Sequence, residues 1–324
     1  MFVFTVAFSC GVGIRSAYRQ PVTAYYDASE MMFLIPDIFK SYVPQGMYYC
    51  EDEQVFLLTG YDSKGNPSPV YVVDRAGDLL GKVTLQYADG SPYYGHCGGI
   101  ACYGDFVYLT GDDARLYVLS LSEILEAEKG GAVRIKGEVC LQSSEQDYIT
   151  PAFVTVYQNK LVVGEFYTEY DYPTLPSHHI TSKAGDTHYA LALEFALDPN
   201  AAWGMDPVPQ KAYSLPQQVQ GMCYDGDRVY LSCSWWLDPS LILEYDVTRI
   251  EEQGTIEVLG KTVPLYALDS SSLVEDYTVM QMAEGIVMLD GKLYLLSEFA
   301  CGKYMIGRLT SSYWCYATDL DQLK

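Results

Sequence analysis

The sequence predicts an all-β fold: a five-bladed β-propeller of four-stranded blades, its ring closed by an N-terminal outer strand in the last blade. Three observations carry this expectation. A strand–turn–strand–loop–strand unit, first met at residues 43–74, recurs four more times. Long apolar stretches of helical period are scarce. The last copy stops after its third strand, while residues 31–35 (Met-Met-Phe-Leu-Ile) form an apolar run with no other assignment.

Repeats at a fixed period identify arrays and propellers, because each unit buries its apolar face only against its neighbours. The copies align on an inner glycine position: Gln45-Gly46-Met47, Gly98-Gly99-Ile100, Pro151-Ala152-Phe153, Gln220-Gly221-Met222 and Glu284-Gly285-Ile286. Successive intervals are 53, 53, 69 and 64 residues, the third lengthened by an insertion within residues 167–188. Each inner strand is followed by a polar turn and a buried-strand run at 55–60, 106–111, 161–165, 229–233 and 293–298. Third strands follow at 70–74, 116–120, 189–194, 241–246 and 314–319. Fourth strands are placed at 82–85, 137–141, 211–215 and 262–268. Residues 31–35 supply the fourth strand of the last blade and hide the edges that an open array would expose. Residues 122–129 and 248–253 read as short solvated helical turns. Residues 21–324 are therefore assigned to a single propeller domain, and residues 1–20 to an appendage or remnant export signal.

The apolar run at residues 2–14 is shorter than the ~20 residues a membrane-spanning helix needs. No Lys or Arg precedes it, so it reads either as a damaged or truncated export signal or as an ordinary first strand. The first reading gives an extracytoplasmic location, secreted or envelope-attached; the alternative is cytoplasmic. Of the charged residues, 42 are acidic and 20 basic, and a net charge of −22 repels a phosphate backbone. Nucleic acid is excluded as an expected partner. The 30 tyrosines suit half-buried strand surfaces and also carbohydrate or cation binding. The nine cysteines show neither a C-x-x-C pair nor metal-ligand spacing, and read mostly as small buried hydrophobes.

In a propeller, the loops entering the inner strands and those leaving the second strands open on one face. Alignment then becomes a spatial expectation. Gln45, Gln220 and Glu284 should ring the channel mouth with His96 nearby, joined from the second-strand exits by Tyr61, Glu165, Trp235 and Glu298. Gln45, Tyr61, His96, Glu165, Gln220, Trp235 and Glu298 are candidate ligand-binding residues. Glu284, flanked by apolar Met282 and Ile286, is the candidate general acid or base, because desolvation raises a carboxyl pKa toward that use. The bland alternative is a wet channel in which these groups bond only backbone and water. Beside Glu165 or Glu298, Glu284 also suits a divalent cation such as calcium; no cofactor is predicted. His96 with Cys97 makes a weak nucleophile pair, since neighbours on a strand point apart. The insertion at 167–188 holds three of the four histidines and reads as a lid or as loop decoration.

The first blade, with Gln45-Gly46-Met47, Leu57-Leu58-Thr59-Gly60-Tyr61 and Val70-Tyr71-Val72-Val73-Asp74, resembles the opening blade of the plant and bacterial type of glutaminyl cyclotransferase. Glu284-Gly285-Ile286 is similar to that family's glutamate-bearing motif. In the family the glutamate stands in the blade after the Gln-Gly blade, where this chain has Gly98-Gly99-Ile100. The resemblance implies five blades and, through Glu284, a cyclization activity. Three readings follow: binding of a small polar or cationic molecule or a peptide at the channel mouth; a cyclotransferase-like or hydrolytic enzyme using Glu284; and a protein-interaction platform anchored by exposed Trp and Tyr.

Overall fold

The computed structural model describes residues 2–127 and 130–324. Five sheets of four to six strands, mostly antiparallel, surround a central axis. Their inner strands are Tyr42–Cys50, Ile100–Tyr103, Phe153–Tyr157, Val219–Asp225 and Ala283–Leu289, each packed beside the next and the last beside the first. The N-terminal strand Ser29–Leu34 pairs antiparallel with Trp314–Thr318, so the two chain ends share the fifth blade and close the ring.

The aligned glycines exist because five inner strands converge on one axis. A Cβ on Gly46 would stand 2.9 Å from Gly99 Cα, one on Gly99 2.6 Å from Val154 N, and one on Gly285 2.4 Å from Met47 N. These are backbone contacts between neighbouring blades that no side chain could enter. Away from the axis the blades diverge and apolar side chains fill the wedges. Leu57 and Val72 of the first blade meet Val107 and Leu119 of the second, and Tyr230 and Ile242 of the fourth meet Ile286 and Leu295 of the fifth. Burying each such aliphatic side chain contributes about 1.5–3 kcal/mol before entropy is set against it.

Three features depart from the expected blade plan. The fourth strand of the fourth blade is Leu273–Val279, paired with Ser240–Asp246, and not residues 262–268. Lys261–Ala267 instead forms a hairpin with Glu252–Val258 and runs parallel to Met205–Leu215, widening the third blade to six strands. The β-rich run at 262–268 was compatible with either sheet, and only packing decides. In the same way Ala132–Arg134 runs parallel to Leu79–Gln86 and adds a fifth strand to the first blade. Both additions come from the connection between third and fourth strands of the following blade, and they cover an outer edge.

Residues Phe2–Arg19 form a helix, so the first-strand alternative for residues 2–14 is replaced. Within the described residues no helix is long and apolar enough to cross a membrane. The helix meets the propeller at its end: Tyr18 packs edge-on against Phe299, Gln281 Nε2 donates to Tyr18 O at 2.8 Å, and Arg19 Nη1 donates to Thr310 O at 2.7 Å. The turn expected at 122–129 is a helix over Leu121–Glu126, with the Ser120 hydroxyl accepting from Glu123 N. Near 248–253 there is a 3-10 turn at Val247–Arg249. Cys50 and Cys102, on the inner strands of adjacent blades, are joined as a disulfide; spacing alone did not reveal that pair.

Candidate functional site

Three inner strands carry a β-bulge where they enter the sheet. Between the pairs Pro44↔Gly60 and Met47↔Leu58 the first blade has two residues, Gln45 and Gly46, against one. The fifth blade repeats this with Glu284 and Gly285 between Ala283↔Ser297 and Ile286↔Leu295, and the fourth leaves Gln220 unmatched between Val219↔Cys233 and Gly221↔Ser232. A bulge re-aims the extra residue's side chain out of the regular alternation. Here it gathers Gln45, Gln220 and Glu284 on one cavity.

That cavity has a volume of about 620 Å³ and lies at the channel mouth. Gln45, Tyr61, His96, Glu165, Gln220, Trp235, Glu284 and Glu298 all line it, so residues from all five blades meet in one place. The strand alternation of the loops around it is strained. Cys97, Gln218, Trp236 and Met282, each within two positions of a mouth residue, have φ of 56°, 67°, 57° and 52°, a left-handed region that non-glycine residues seldom occupy and that clusters at ligand sites.

The mouth's polar groups form a chain of hydrogen bonds. Gln45 Nε2 donates to Pro44 O at 2.8 Å and to Glu298 Oε2 at 3.0 Å. This fixes the amide, leaving Gln45 Oε1 as acceptor for His96 Nε2 at 2.6 Å. An amide oxygen only accepts, so Nε2 of His96 carries the proton. The His96 backbone N–H donates to both Asp112 carboxylate oxygens, at 3.0 and 3.1 Å, and the ring lies 4.5 Å from that of Tyr61. Although His96 opens to the cavity, the protein packed around its ring lowers its pKa below the ordinary value, against the Asp112 charge and with a smaller push from Lys303.

Glu284 is buried at 2% exposure. Burial raises its pKa well above the carboxylate range, and the neighbouring Glu298 charge adds to this. Burial also lifts Glu298 to about 7, where the Lys303 ammonium, the Gln45 amide and the Tyr304 hydroxyl hold it from rising further. Burial thus makes both carboxyls hold their protons beyond the ordinary carboxylate range, Glu298 to about 7.

Glu165 has a different part. Its Oε2 accepts from Leu191 N at 3.0 Å and pairs with His178 Nδ1 at 2.9 Å, both side chains being buried. It thereby ties down the insertion, whose Tyr172 then packs edge-on to Phe166 at 5.4 Å and lies 6.1 Å from Trp235. Trp235 and Phe166, 5.8 Å apart, complete an aromatic wall, and Trp236 stands exposed beside it. The other two histidines of the insertion are engaged separately, His179 with Thr174 and His188 with Ser214. Among the described residues no group of three or more His, Cys, Asp or Glu converges as a metal cage. Cys97 is fully buried, its thiol pushed up to about 12 by burial, so the His96–Cys97 nucleophile pair is set aside.

Lys303 and Tyr304 were not singled out from sequence. Lys303 Nζ donates to Tyr61 Oη at 3.1 Å and stands over the Tyr304 ring at 5.0 Å. They lie in the irregular stretch after the fifth blade's second strand, where no repeat marks them. His178 was counted with the insertion, but nothing in its spacing pointed to Glu165.

Neither a family model nor a curated protein matches the sequence. Among solved structures, the chain is similar to glutaminyl cyclase of Myxococcus xanthus, at 11% identity over 90% of this chain and 94% of that one, with a TM-score of 0.44. It is similar to the tail fiber of Staphylococcus aureus phage P68 at 13% identity over 82% of this chain and 48% of that one, TM-score 0.46. A WD40 propeller domain, that of Doa1, gives 8% identity, 83% coverage of each chain and a TM-score of 0.41. The five-bladed assignment rests on the sheet topology described above.

Proposed function

We propose that the channel mouth binds a small polar or cationic ligand, its polar end on Glu284, Glu298 and Gln45 and its body against Phe166, Tyr172 and Trp235. The observation that carries this reading is the set of three bulges turning Gln45, Gln220 and Glu284 into one cavity. A concave site of about 620 Å³ falls within the roughly 300–1,000 Å³ range of small-molecule pockets. Aromatic faces beside carboxylates attract organic cations, and the chain's charge of −22 concentrates cations around it. Isothermal titration with choline, arginine methyl ester and neutral amides tests the reading. Saturable binding of a cation, weakened about tenfold by Trp235→Ala or Glu298→Gln, is expected; no saturable binding by any of these would overturn it.

A second reading is supported by the Glu284–Glu298 pair: acid–base catalysis of cyclotransfer or hydrolysis, with Glu284 giving a proton and Glu298 receiving one. Turnover assays on N-terminal glutaminyl peptides, esters and lactones test it. If Glu284→Gln leaves every detectable turnover unchanged, this reading fails.

A further inference from the structure

A second hollow, of about 290 Å³, opens between the third and fourth blades. It is remote from the mouth by topology. Inner strands run from the mouth toward the opposite face, and Tyr157 and Tyr224 stand near the far ends of Phe153–Tyr157 and Val219–Asp225.

Those two rings stack at 4.7 Å with 11° between their planes, and Tyr157 Oη donates to Gly226 O at 2.9 Å. Tyr213 and Tyr266, 5.9 Å apart, form a further wall. Glu194, only 5% exposed, lines the same hollow. Tyr213 Oη donates to its Oε2 at 2.6 Å, and the ammoniums of Lys160 and Lys211 lie 3.5 and 3.8 Å from its carboxylate. Both separations exceed a tight hydrogen bond, so each ammonium keeps donors free for another acceptor. Asp227, on the turn after Tyr224, brings a second carboxylate to the rim.

The lining therefore carries two positive and two negative groups, in a chain whose net charge is −22. Neither sign of ligand is selected by charge. What the hollow offers is a tyrosine-rich lining with strong donors and strong acceptors side by side. A neutral polyhydroxylated ring uses all three, resting its C–H face on tyrosine while adjacent hydroxyls donate to carboxylate and accept from ammonium. We infer that this hollow is a second ligand site, for a neutral saccharide. At about 290 Å³ it stands at the small end of ligand pockets, which start near ~300 Å³, and holds one sugar ring and not a chain.

The test is saturation-transfer NMR and isothermal titration of the full chain with glucose, galactose, mannose and N-acetylglucosamine, using 4-hydroxybenzoate and choline as charged controls. At least one sugar is expected to saturate with a Kd of about 1 mM, near −4 kcal/mol. Asp227→Asn, on an exposed turn, should weaken it about tenfold without disturbing the fold, as should Tyr266→Ala if its melting curve stays cooperative. Glu284→Gln, at the channel mouth, should leave sugar binding unchanged. The inference is overturned if no sugar saturates by ~50 mM, if a charged control binds Asp227-dependently and tighter than every sugar, or if Glu284→Gln abolishes sugar binding.

Discussion

Gln45 and Glu298, separated by 253 positions in the chain, meet at 3.0 Å across the junction of the first and last blades. The contact makes Gln45 a donor to a mouth carboxyl that burial lifts to about 7. Hydrogen bonds to an ionised group are worth about 1.5–3 kcal/mol, and a shift of one pH unit is about 1.4 kcal/mol. Gln45→Leu should therefore raise the Glu298 titration midpoint by roughly one pH unit above its value of about 7. Carboxyl-carbon NMR of glutamate-labelled protein reads this directly, and an unmoved midpoint would show that the amide does not tune Glu298.

The same carboxyls predict a pH dependence of stability. Glu284 and Glu298 both have folded-state pKa values above the ordinary 4.5, so the folded state binds the extra protons. Their contribution is complete below pH 4.5 and is lost as pH rises through about 7 for Glu298. For Glu298 alone the loss is on the order of 3 kcal/mol. Asp37 works in the other direction. Burial would raise it, but hydrogen bonds from Lys40, Lys82 and Tyr71 hold it at about 2, so its contribution is present above 3.8 and fades as pH falls toward 2. Melting temperature should thus decline from pH 5 to pH 8. Glu298→Gln, which cannot ionise, should flatten that decline by several degrees; an unchanged slope in scanning calorimetry would contradict the assignment.

Much of this architecture was legible in the sequence, and physical reasons separate what was from what was not. The glycine at four of the five inner positions answers to backbone approach at the axis, with Ala152 in the third blade, so Gln45-Gly46, Gln220-Gly221 and Glu284-Gly285 recur visibly. The gathering of mouth residues follows from that register. Outer strands are less constrained, since each makes only one obligatory ladder, and residues 262–268 went to a neighbouring blade for that reason. The placement of Lys303 and Tyr304 at the mouth and of His178 beside Glu165 was invisible because irregular loops set it, and no period encodes a loop's path. The bulges themselves leave no separate mark beyond the polar residue before glycine.

The axial glycines make a direct stability prediction. A Cβ on Gly285 would meet Met47 N at 2.4 Å, Gln45 O at 2.9 Å and Gly46 C at 2.9 Å, all backbone of the adjacent blade. Backbone cannot rotate away as a side chain does, so Gly285→Ala should cost about 3 kcal/mol or more. Gly13, in the N-terminal helix with open space around it, should gain slightly from the same change, because alanine favours helix by about 1 kcal/mol. Equal effects of the two substitutions in urea titrations would refute the axial-packing argument.

The buried Glu165–His178 pair should control the insertion. Residues 167–188 cross the mouth with little regular structure of their own, a 3-10 turn at Pro176–His178 and a two-residue hairpin at Ile180–Thr181 and Thr187–His188. Their position depends on this contact, on the aromatic packing of Tyr172, and on hydrogen bonds that Lys183 donates to Gln253 and Glu252 and that Asp186 accepts from Ser270. His178→Ala removes the 2.9 Å partner and leaves a buried carboxyl with only the Leu191 N–H, a loss of about 1–3 kcal/mol. Because residues 167–188 supply no strand to a blade sheet, that loss should appear first as local opening. Limited proteolysis of His178→Ala should cut within residues 167–188 about tenfold faster than in the parent chain, while global unfolding in urea moves by less. Cleavage at the parent rate would mean that the remaining contacts, through Tyr172, Lys183 and Asp186, hold the insertion without His178.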